Sequence, residues 1–408
     1  MKFFRVVSLD DALAHRGRFE VVGTEQLALG AAFGRVLAAD FVSPEDLPGF
    51  RRSIVDGFAV QAASTFGASE TAPALVDVLG SVSMGAATDL RVGRGQAARI
   101  PTGGMLPGGA DAVVMIEHTE ALDEDSVEIA RAVAPGQNVV EPSDDVAMGA
   151  VLLRRGRVLR AADIGLLAAL GATGVSVFRR PRVAILSTGD EVMPLGAELG
   201  PGQVRDVNAW TLSAMVEAAG GVPIRRGIVA DDEGALLDAA RGALQVADMV
   251  LISGGSSVGT RDLTIDTLEA LPDSEVLLHG VAIKPGKPTI LARVGGAAVW
   301  GLPGHVTSAM VVFEALVRAF VERIGGVQDG LLRPTRAARI SRDLPSEHGR
   351  VDFVRVRLEE RDGAWWAAPL RGGSALIRTM VQADGLVRIE RDTEGLREGE
   401  VVQVQLWR

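Results

Sequence analysis

The sequence of 408 residues has no cysteine and no tyrosine, and aromatic residues make up only 4% of it. Without cysteine there is no disulfide, no thiolate nucleophile and no cysteine-ligated zinc or iron–sulfur centre. So few aromatics exclude the stacking platforms that hold single-stranded nucleic acid. Basic residues are in deficit as well: 42 Lys and Arg stand against 52 Asp and Glu, for a formal charge of −10. A nonspecific nucleic-acid binder needs the opposite balance to displace phosphate counterions. Long hydrophobic runs are missing too. The least polar stretch, residues 164–178, is 15 residues long with three glycines, too short for a bilayer. Residues 1–18 carry a brief apolar cluster ahead of Asp10 and Asp11, which is not the core of a signal peptide. The expectation is a cytoplasmic protein with neither membrane nor nucleic acid among its partners.

Glycine is in excess, at 49 residues, against a usual share of about 7%. A hydrophobic fraction of 47% argues against disorder, so these glycines belong at discrete turns. At roughly 100–200 residues per domain, the length suggests several domains. Residues 8–15 read as a short helix capped by Ser8, and residues 24–39 as another, from the spacing of Leu27, Ala31, Val36 and Leu37. Residues 43–50, with Pro44 and Pro48, form a loop. Residues 54–141 alternate short apolar segments with Gly, Pro and Ser clusters, the pattern of a small β-rich domain. Strand and helix return over 147–178, with Asp163 as N-cap and Gly171 as stop.

Residues 181–326 differ. Continuous apolar runs at 183–186, 249–252 and 297–300 alternate with helical stretches at 211–219, 234–244 and 308–324, which predicts an α/β domain around a mostly parallel sheet. Beyond residue 330, strand segments at 338–340, 352–358, 365–368, 386–390 and 401–406 predict a small C-terminal barrel or sandwich.

Each apolar run of the α/β domain opens into a polar, glycine-bearing loop: Ser187-Thr188-Gly189-Asp190-Glu191, then Ser253-Gly254-Gly255 running on to Asp262, then Gly301-Leu302-Pro303-Gly304-His305. Ligands of open α/β sheets bind beyond the carboxyl ends of the strands. Glycine lets backbone N–H groups approach an anion there. A single such loop is equally explained as a steric βα turn; three in one domain favour a phosphate-type site. Lys284-Pro285-Gly286-Lys287-Pro288 presents two cations from a stiffened turn. It is no P-loop, because the glycine spacing differs and Pro288 stands where a Mg²⁺-binding hydroxyl belongs. Glu191, Asp231, Asp232 and Asp262 are candidate ligands for a hard cation, although Asp231 and Asp232 also precede a helix and serve equally as caps. The five histidines lack metal-ligand spacing and read as structural.

These segments, together with Val55-Asp56-Gly57-Phe58-Ala59, Thr102-Gly103 and Gly109-Ala110-Asp111-Ala112-Val113-Val114, occur in one order along nearly the whole chain. The set resembles molybdopterin molybdenumtransferases, the family of bacterial MoeA and the gephyrin E domain. The resemblance implies a multidomain α/β plus β fold: a central doubly wound α/β molybdopterin-binding domain at 177–328, a β-rich domain at 44–138, an elongated discontinuous linking domain at 1–43 and 139–176, and a C-terminal β-barrel at 329–408. It implies an enzyme that inserts molybdate into adenylylated molybdopterin with release of AMP in a Mg²⁺-dependent step. It further implies a homodimer, with the cleft between the α/β domain of one subunit and the β-rich domain of the other, and a molybdopterin adenylyltransferase as a further partner. By the same resemblance, Asp56, Thr102, Glu191, Asp231, Asp262 and Lys284 are catalytic. Thr188, Gly189, Asp190, Ser253, Gly254, Gly255, Lys287, Pro303, Gly304 and Ser374 bind the pterin ligand, and Asp145, Glu191, Asp231 and Asp262 bind Mg²⁺. The chain departs from the family pattern at Val140, Gly280, Phe58 and Gly304-His305-Val306, the last in place of Gly-Asn-Pro. Two alternatives stand beside this reading: a molybdopterin adenylyltransferase, or a non-catalytic molybdopterin-binding paralogue.

Overall fold

A computed structural model describes residues 6–254, 263–328, 330 and 333–407. The chain divides into two compact units, one of Met1–Ala39, Arg155–Ile164 and Thr173–Arg408, the other of Asp40–Arg154 and Gly165–Ala172.

The first unit is built on a six-stranded sheet. Its strands are β1 (Arg182–Thr188), β2 (Val222–Val229), β3 (Met249–Ser253), β4 (Ser274–His279), β5 (Ile290–Val294) and β6 (Ala297–Leu302), in the order β2-β1-β3-β6-β5-β4. The β2, β1, β3 and β6 strands run parallel, and β5 and β4 complete the sheet antiparallel. Both faces are covered, which is why β1, β3 and β6 read as unbroken apolar runs. Val183 and Ile185 face one core with Met249, Leu251 and Trp300; Ala184 and Leu186 face the other with Val250, Ile252 and Val299. On the first face Trp300 meets Phe320 edge-on at 4.9 Å. The helices α1 (Asn208–Ala218) and α2 (Glu233–Leu244) lie where the periodicity places them, and a further helix, α3 (Leu263–Ala270), is not among those expected from the sequence. A longer helical rod over 306–324 passes through a π-helical stretch, Phe313–Val317.

Five strands, β7 (Thr335–Ile340), β8 (Val351–Arg361), β9 (Ala364–Pro369), β10 (Gly385–Ile389) and β11 (Val401–Leu406), pair in the ring β8-β9-β7-β11-β10-β8, a closed barrel rather than a sandwich. A short strand, Ile283–Lys284, runs parallel to the start of β8, and the N-terminal segment joins it through the Val7–Val281 bridge.

Two sequence expectations are corrected. Residues 24–39 are not a helix: Thr24–Ala28 is a strand paired antiparallel with Gly174–Phe178, followed by a single 3-10 turn at Leu29–Ala31. Of the four residues at helical intervals only Leu37 is buried, and Ala31 is exposed, so the apolar spacing there does not mark one buried face. Asp163 is not the N-cap of its helix, which already begins at Ala161; from inside the first turn its carboxylate accepts the Arg160 N–H at 2.9 Å and pairs with Arg157. By contrast, the Ser8 hydroxyl caps Leu9–Ala14 through Asp11 N–H, and Gly171 ends the Ala161–Ala169 helix with φ +69°.

The second unit is β-rich. Its six-stranded sheet takes in Gly57–Val60, Ala74–Ser81, Gln96–Ile100, Ala112–Met115, Thr119–Ala121 and Ser126–Ile129. Gly57 is required: a Cβ there would lie 1.8 Å from the Val114 carbonyl oxygen.

Candidate active site

In the second unit the fold brings together Asp56 and Thr102. The Thr102 N–H donates to Asp56 Oδ1 at 2.7 Å, and the Asp56 carbonyl accepts Ile116 N–H at 2.9 Å, so the carboxylate is fixed at the end of the Gly57–Val60 strand. Asp145 lies in the same unit, on a turn where its N–H donates to Leu47 O. Glu141, in the stretch that departs from the family pattern, takes a bidentate pair of bonds from Arg51 at 2.7–2.9 Å.

In the first unit the ends of β1, β3 and β6 converge. The Thr188 hydroxyl donates to Asp231 Oδ1 at 2.6 Å, and the Asp231 N–H donates to Asp190 Oδ1 at 3.1 Å. Asp232, not Asp231, caps α2 by accepting Ala235 N–H, so the cap explanation covers one of the two aspartates and leaves the other to the loop cluster. Gly254 has φ +112°, and a Cβ would lie 2.2 Å from Thr188 O; Gly304 comes within 3.6 Å of the Gly254 Cα by the same measure. Only glycine permits the chain this close at Gly254. Asn208, at the start of α1, ties two of the loops together: its Nδ2 donates to Ser253 Oγ at 2.6 Å and to Gly304 O at 2.8 Å. Its own Oδ1 is buried without a partner among the described residues. Gly255 and Asp262 fall outside the described residues.

A cavity of about 550 Å³ lies beside these loops in the same unit. One wall is the Lys284–Lys287 turn. The turn is rigid because Val281 N–H donates to Lys287 O at 2.9 Å, Thr289 Oγ1 donates to Gly286 O at 2.6 Å, and Gly286 has φ +115° with Val312 packed where a Cβ would be. Arg350 forms another wall. It is held by Asp352 at 2.9 Å and Glu347 at 2.8 Å, and Asp352 lies 3.9 Å from the Lys284 ammonium. Pro303, His305, Ser308 and Ser374 complete the polar lining. His305 Nδ1 and Ser374 Oγ share a hydrogen bond of 2.8 Å. The loop bearing Ser374 is fixed by Arg355, which donates to Thr379 Oγ1 and Gly372 O; burial pushes that guanidinium below its ordinary value.

Arg350, Ser308, His305 and Asn208 escaped the sequence reading. Arg350 and Ser308 have no motif around them, and His305, although it ends the Gly301–Gly304 loop, reads as structural whereas the fold sets it at the cavity. One compositional signal did mark the place: Lys2, Lys284 and Lys287 are the three lysines of the whole sequence, and every other basic residue among the 42 is arginine. Two ammonium groups retained in so arginine-rich a chain, both at one cavity, point to a compact anion that point charges suit.

Among the described residues no three His, Asp or Glu side chains come close enough to form a metal cage by themselves, and no helix is long and apolar enough to cross a membrane.

Fold and site together define an α/β protein with a glycine-lined crevice at its strand ends and a cationic cavity whose far wall is a β-barrel. Three family profiles match in order: the MoeA N-terminal region (domain I and II) over residues 7–171, a "Probable molybdopterin binding domain" over 184–323, and the MoeA C-terminal region (domain IV) over 337–407. The chain is 32% identical to the molybdopterin molybdenumtransferase of Bacillus subtilis, covering 98% of this chain and 94% of that one. It is 35% identical to molybdopterin molybdenumtransferase 2 of Mycobacterium tuberculosis, over 93% of each. The crystal structure of the molybdopterin biosynthesis MoeA protein from Pyrococcus horikoshii superposes with a TM-score of 0.85 at 31% identity, covering 99% of this chain and all of that one. The chain belongs to the MoeA family.

Proposed function

We propose that the protein is a molybdopterin molybdenumtransferase that inserts molybdate into adenylylated molybdopterin and releases AMP, completing the molybdenum cofactor. The observation that carries this reading is the cavity, where Lys284, Lys287 and Arg350 line a space of about 550 Å³ together with Ser374 and Ser308. Two ammonium groups, a guanidinium and hydroxyl donors suit a small tetrahedral oxyanion, which accepts hydrogen bonds on every face. The strand-end loops beside it suit the phosphorylated pterin, with the glycine backbone at Gly189 and Gly254 leaving room for a phosphate to come close.

Mg²⁺ is held by one or two carboxylates, the remaining positions being filled by water and substrate phosphate. Asp231 and Asp190, linked through the Asp231 N–H, together with the adjacent Glu191, are the described carboxylates that fit it, and there it would offset phosphate charge. In this reading Thr188 holds Asp231 in place, Asn208 orients Ser253 and Gly304, and Asp56 acts as a proton acceptor fixed by Thr102. Homodimerisation, cytoplasmic location, cooperation with a molybdopterin adenylyltransferase, a Mg²⁺ role for Asp145 and Asp262, and the four-domain division belong to the same proposal. That related sequence extends on both sides of the α/β domain favours this reading over an adenylyltransferase, which needs that domain alone.

The test is incubation of the purified protein with adenylylated molybdopterin, Mg²⁺ and molybdate. AMP is expected to appear only when molybdate is present. Adenylylation of molybdopterin from ATP, or tight pterin binding with no AMP release, would overturn the reading. Asp56→Asn is expected to lower turnover at least ~100-fold with an unchanged melting temperature; wild-type rates would remove Asp56 from the mechanism.

A further inference from the structure

Ser374 and His305 reach the cavity from opposite walls, Ser374 on the loop between β9 and β10, His305 at the start of the helical rod that follows β6. Their backbones are tied as well, with Thr307 N–H donating to Ser374 O at 3.1 Å. The direction of the 2.8 Å bond between their side chains decides what Ser374 offers an anion. When the Ser374 hydroxyl donates to Nδ1, its proton is occupied and only oxygen lone pairs face the cavity. When Nδ1–H donates to Ser374 Oγ, that proton is free to donate elsewhere. An oxyanion accepts and never donates, so it selects the second arrangement. An imidazolium satisfies that arrangement in either orientation and adds a positive charge next to the anion.

We infer that His305 is a positioning residue for the oxyanion: with an anion in the cavity it donates from Nδ1 to Ser374, turns the Ser374 proton toward the anion, and takes up a proton from the buffer. The inference rests on the cavity being the oxyanion site. The charged groups facing His305 there are Lys284 and Lys287 on one side and Glu347, His348 and Arg350 on the other. Glu347 and Asp352 are engaged with Arg350, and Asp352 also lies near Lys284, so among the described residues lining the cavity no carboxylate is left over to pair with the imidazolium. His348 lies 3.8 Å from Glu394. His305 and His348 are the two imidazoles among the described residues lining the cavity, so the variants have to separate them. Binding is expected to tighten as pH falls, because a dianion is held better by imidazolium than by imidazole.

The experiment is calorimetric titration of the full chain with molybdate alone, which stays dianionic over the range used, at about pH 6 and about pH 8 and in two buffers of different ionisation enthalpy. For the wild type we expect ~5- to 10-fold tighter binding at the lower pH, with net proton uptake. His305→Ala should bind more weakly and show neither the pH dependence nor the proton uptake. His305→Gln, whose amide N–H can donate to Ser374 without charge, should match the wild type at the higher pH and stay flat below it. A pH dependence that persists in both variants, or that vanishes in His348→Gln instead, overturns the inference. Lys284→Ala separates it from the site assignment. Loss of binding in that variant with the pH dependence untouched by His305→Ala removes His305 alone; binding that Lys284→Ala leaves unchanged removes the cavity assignment and the His305 inference with it.

Discussion

At the ends of β1 and β3 the side chains facing the loops are carboxylates and hydroxyls, held by bonds that tie one loop of the α/β sheet to the next: Thr188 to Asp231, Asp231 N–H to Asp190, Asn208 to Ser253. In the adjoining cavity the side chains are cations, and the barrel holds them, the Lys284 strand paired with β8 and Arg350 anchored on Asp352 at the start of β8. The acidic crevice is therefore a product of how the α/β sheet by itself brings its strand-end loops together. The basic cavity is a product of how the barrel closes on the α/β sheet. A ligand with a phosphate at one end and a site for a metal oxyanion at the other would need both.

This contrast can be broken at either side. The largest effect is expected at Asp231. Replacing it with Asn keeps the Thr188 bond possible but removes the charge, so AMP release should fall ~100-fold or more while calorimetric molybdate affinity stays within twofold of the wild type. Equal losses in both assays would mean that crevice and cavity are one electrostatic unit. A middle-sized effect is expected from Gly254→Ala. Its Cβ would strike Thr188 O and its φ of +112° suits only glycine, so the variant should lose ~1–3 kcal/mol in denaturant unfolding. A stability equal to the wild type would show that this loop relaxes freely.

The smallest effect sharpens the contrast by turning to the opposite end of the same strands. Asp248, just before β3, is a carboxylate of another kind. Burial alone would raise its pKa, but two bonds from Arg179 and one from Arg182 N–H outweigh burial and hold it below the ordinary aspartate value. A carboxyl group lowered in the folded state stabilises it above the unfolded pKa, and that contribution is lost as pH falls through the folded one. The melting temperature should therefore decline as pH drops below about 4, and Asp248→Asn should flatten the decline while lowering the neutral-pH value. An unchanged slope would assign the acid sensitivity to other groups, Asp163 first among them because its Arg157 pair behaves alike.

The strand-end crevice was legible because its signals are local. A buried parallel strand must read as an apolar run, and the glycine that lets the next loop approach it follows within a few residues, so Thr188, Gly189, Ser253, Gly254 and Gly304 could be found in order. The cavity was half legible. Lys284 and Lys287 announce themselves by the prolines and glycine around them, but Arg350 is one arginine in a sequence full of them and becomes special only when β8 pairs with the lysine strand. His305 carried no spacing partner because its partner, Ser374, lies 69 residues further along the chain. Residues 24–39 misled for a related reason. Leu27, Ala31, Val36 and Leu37 fall at helical intervals, yet Thr24–Ala28 is drawn out straight by its pairing with Gly174–Phe178, a contact that helical spacing gives no hint of.

The short Ile283–Lys284 strand carries one more consequence. Val7 N–H donates to Gly280 O and Ala282 N–H to Val7 O, while Ala282 O accepts Val351 N–H. Three stretches from the beginning, the middle and the last part of the chain are thus laid side by side, and Ser374 closes the wall later still. Contacts so distant in sequence form late, and a chain emerging from the ribosome makes its N-terminal parts first. The strand-end crevice can take shape while synthesis continues, but the cationic cavity has to wait for the barrel. A nascent chain therefore completes the crevice before it can complete the cavity beside it.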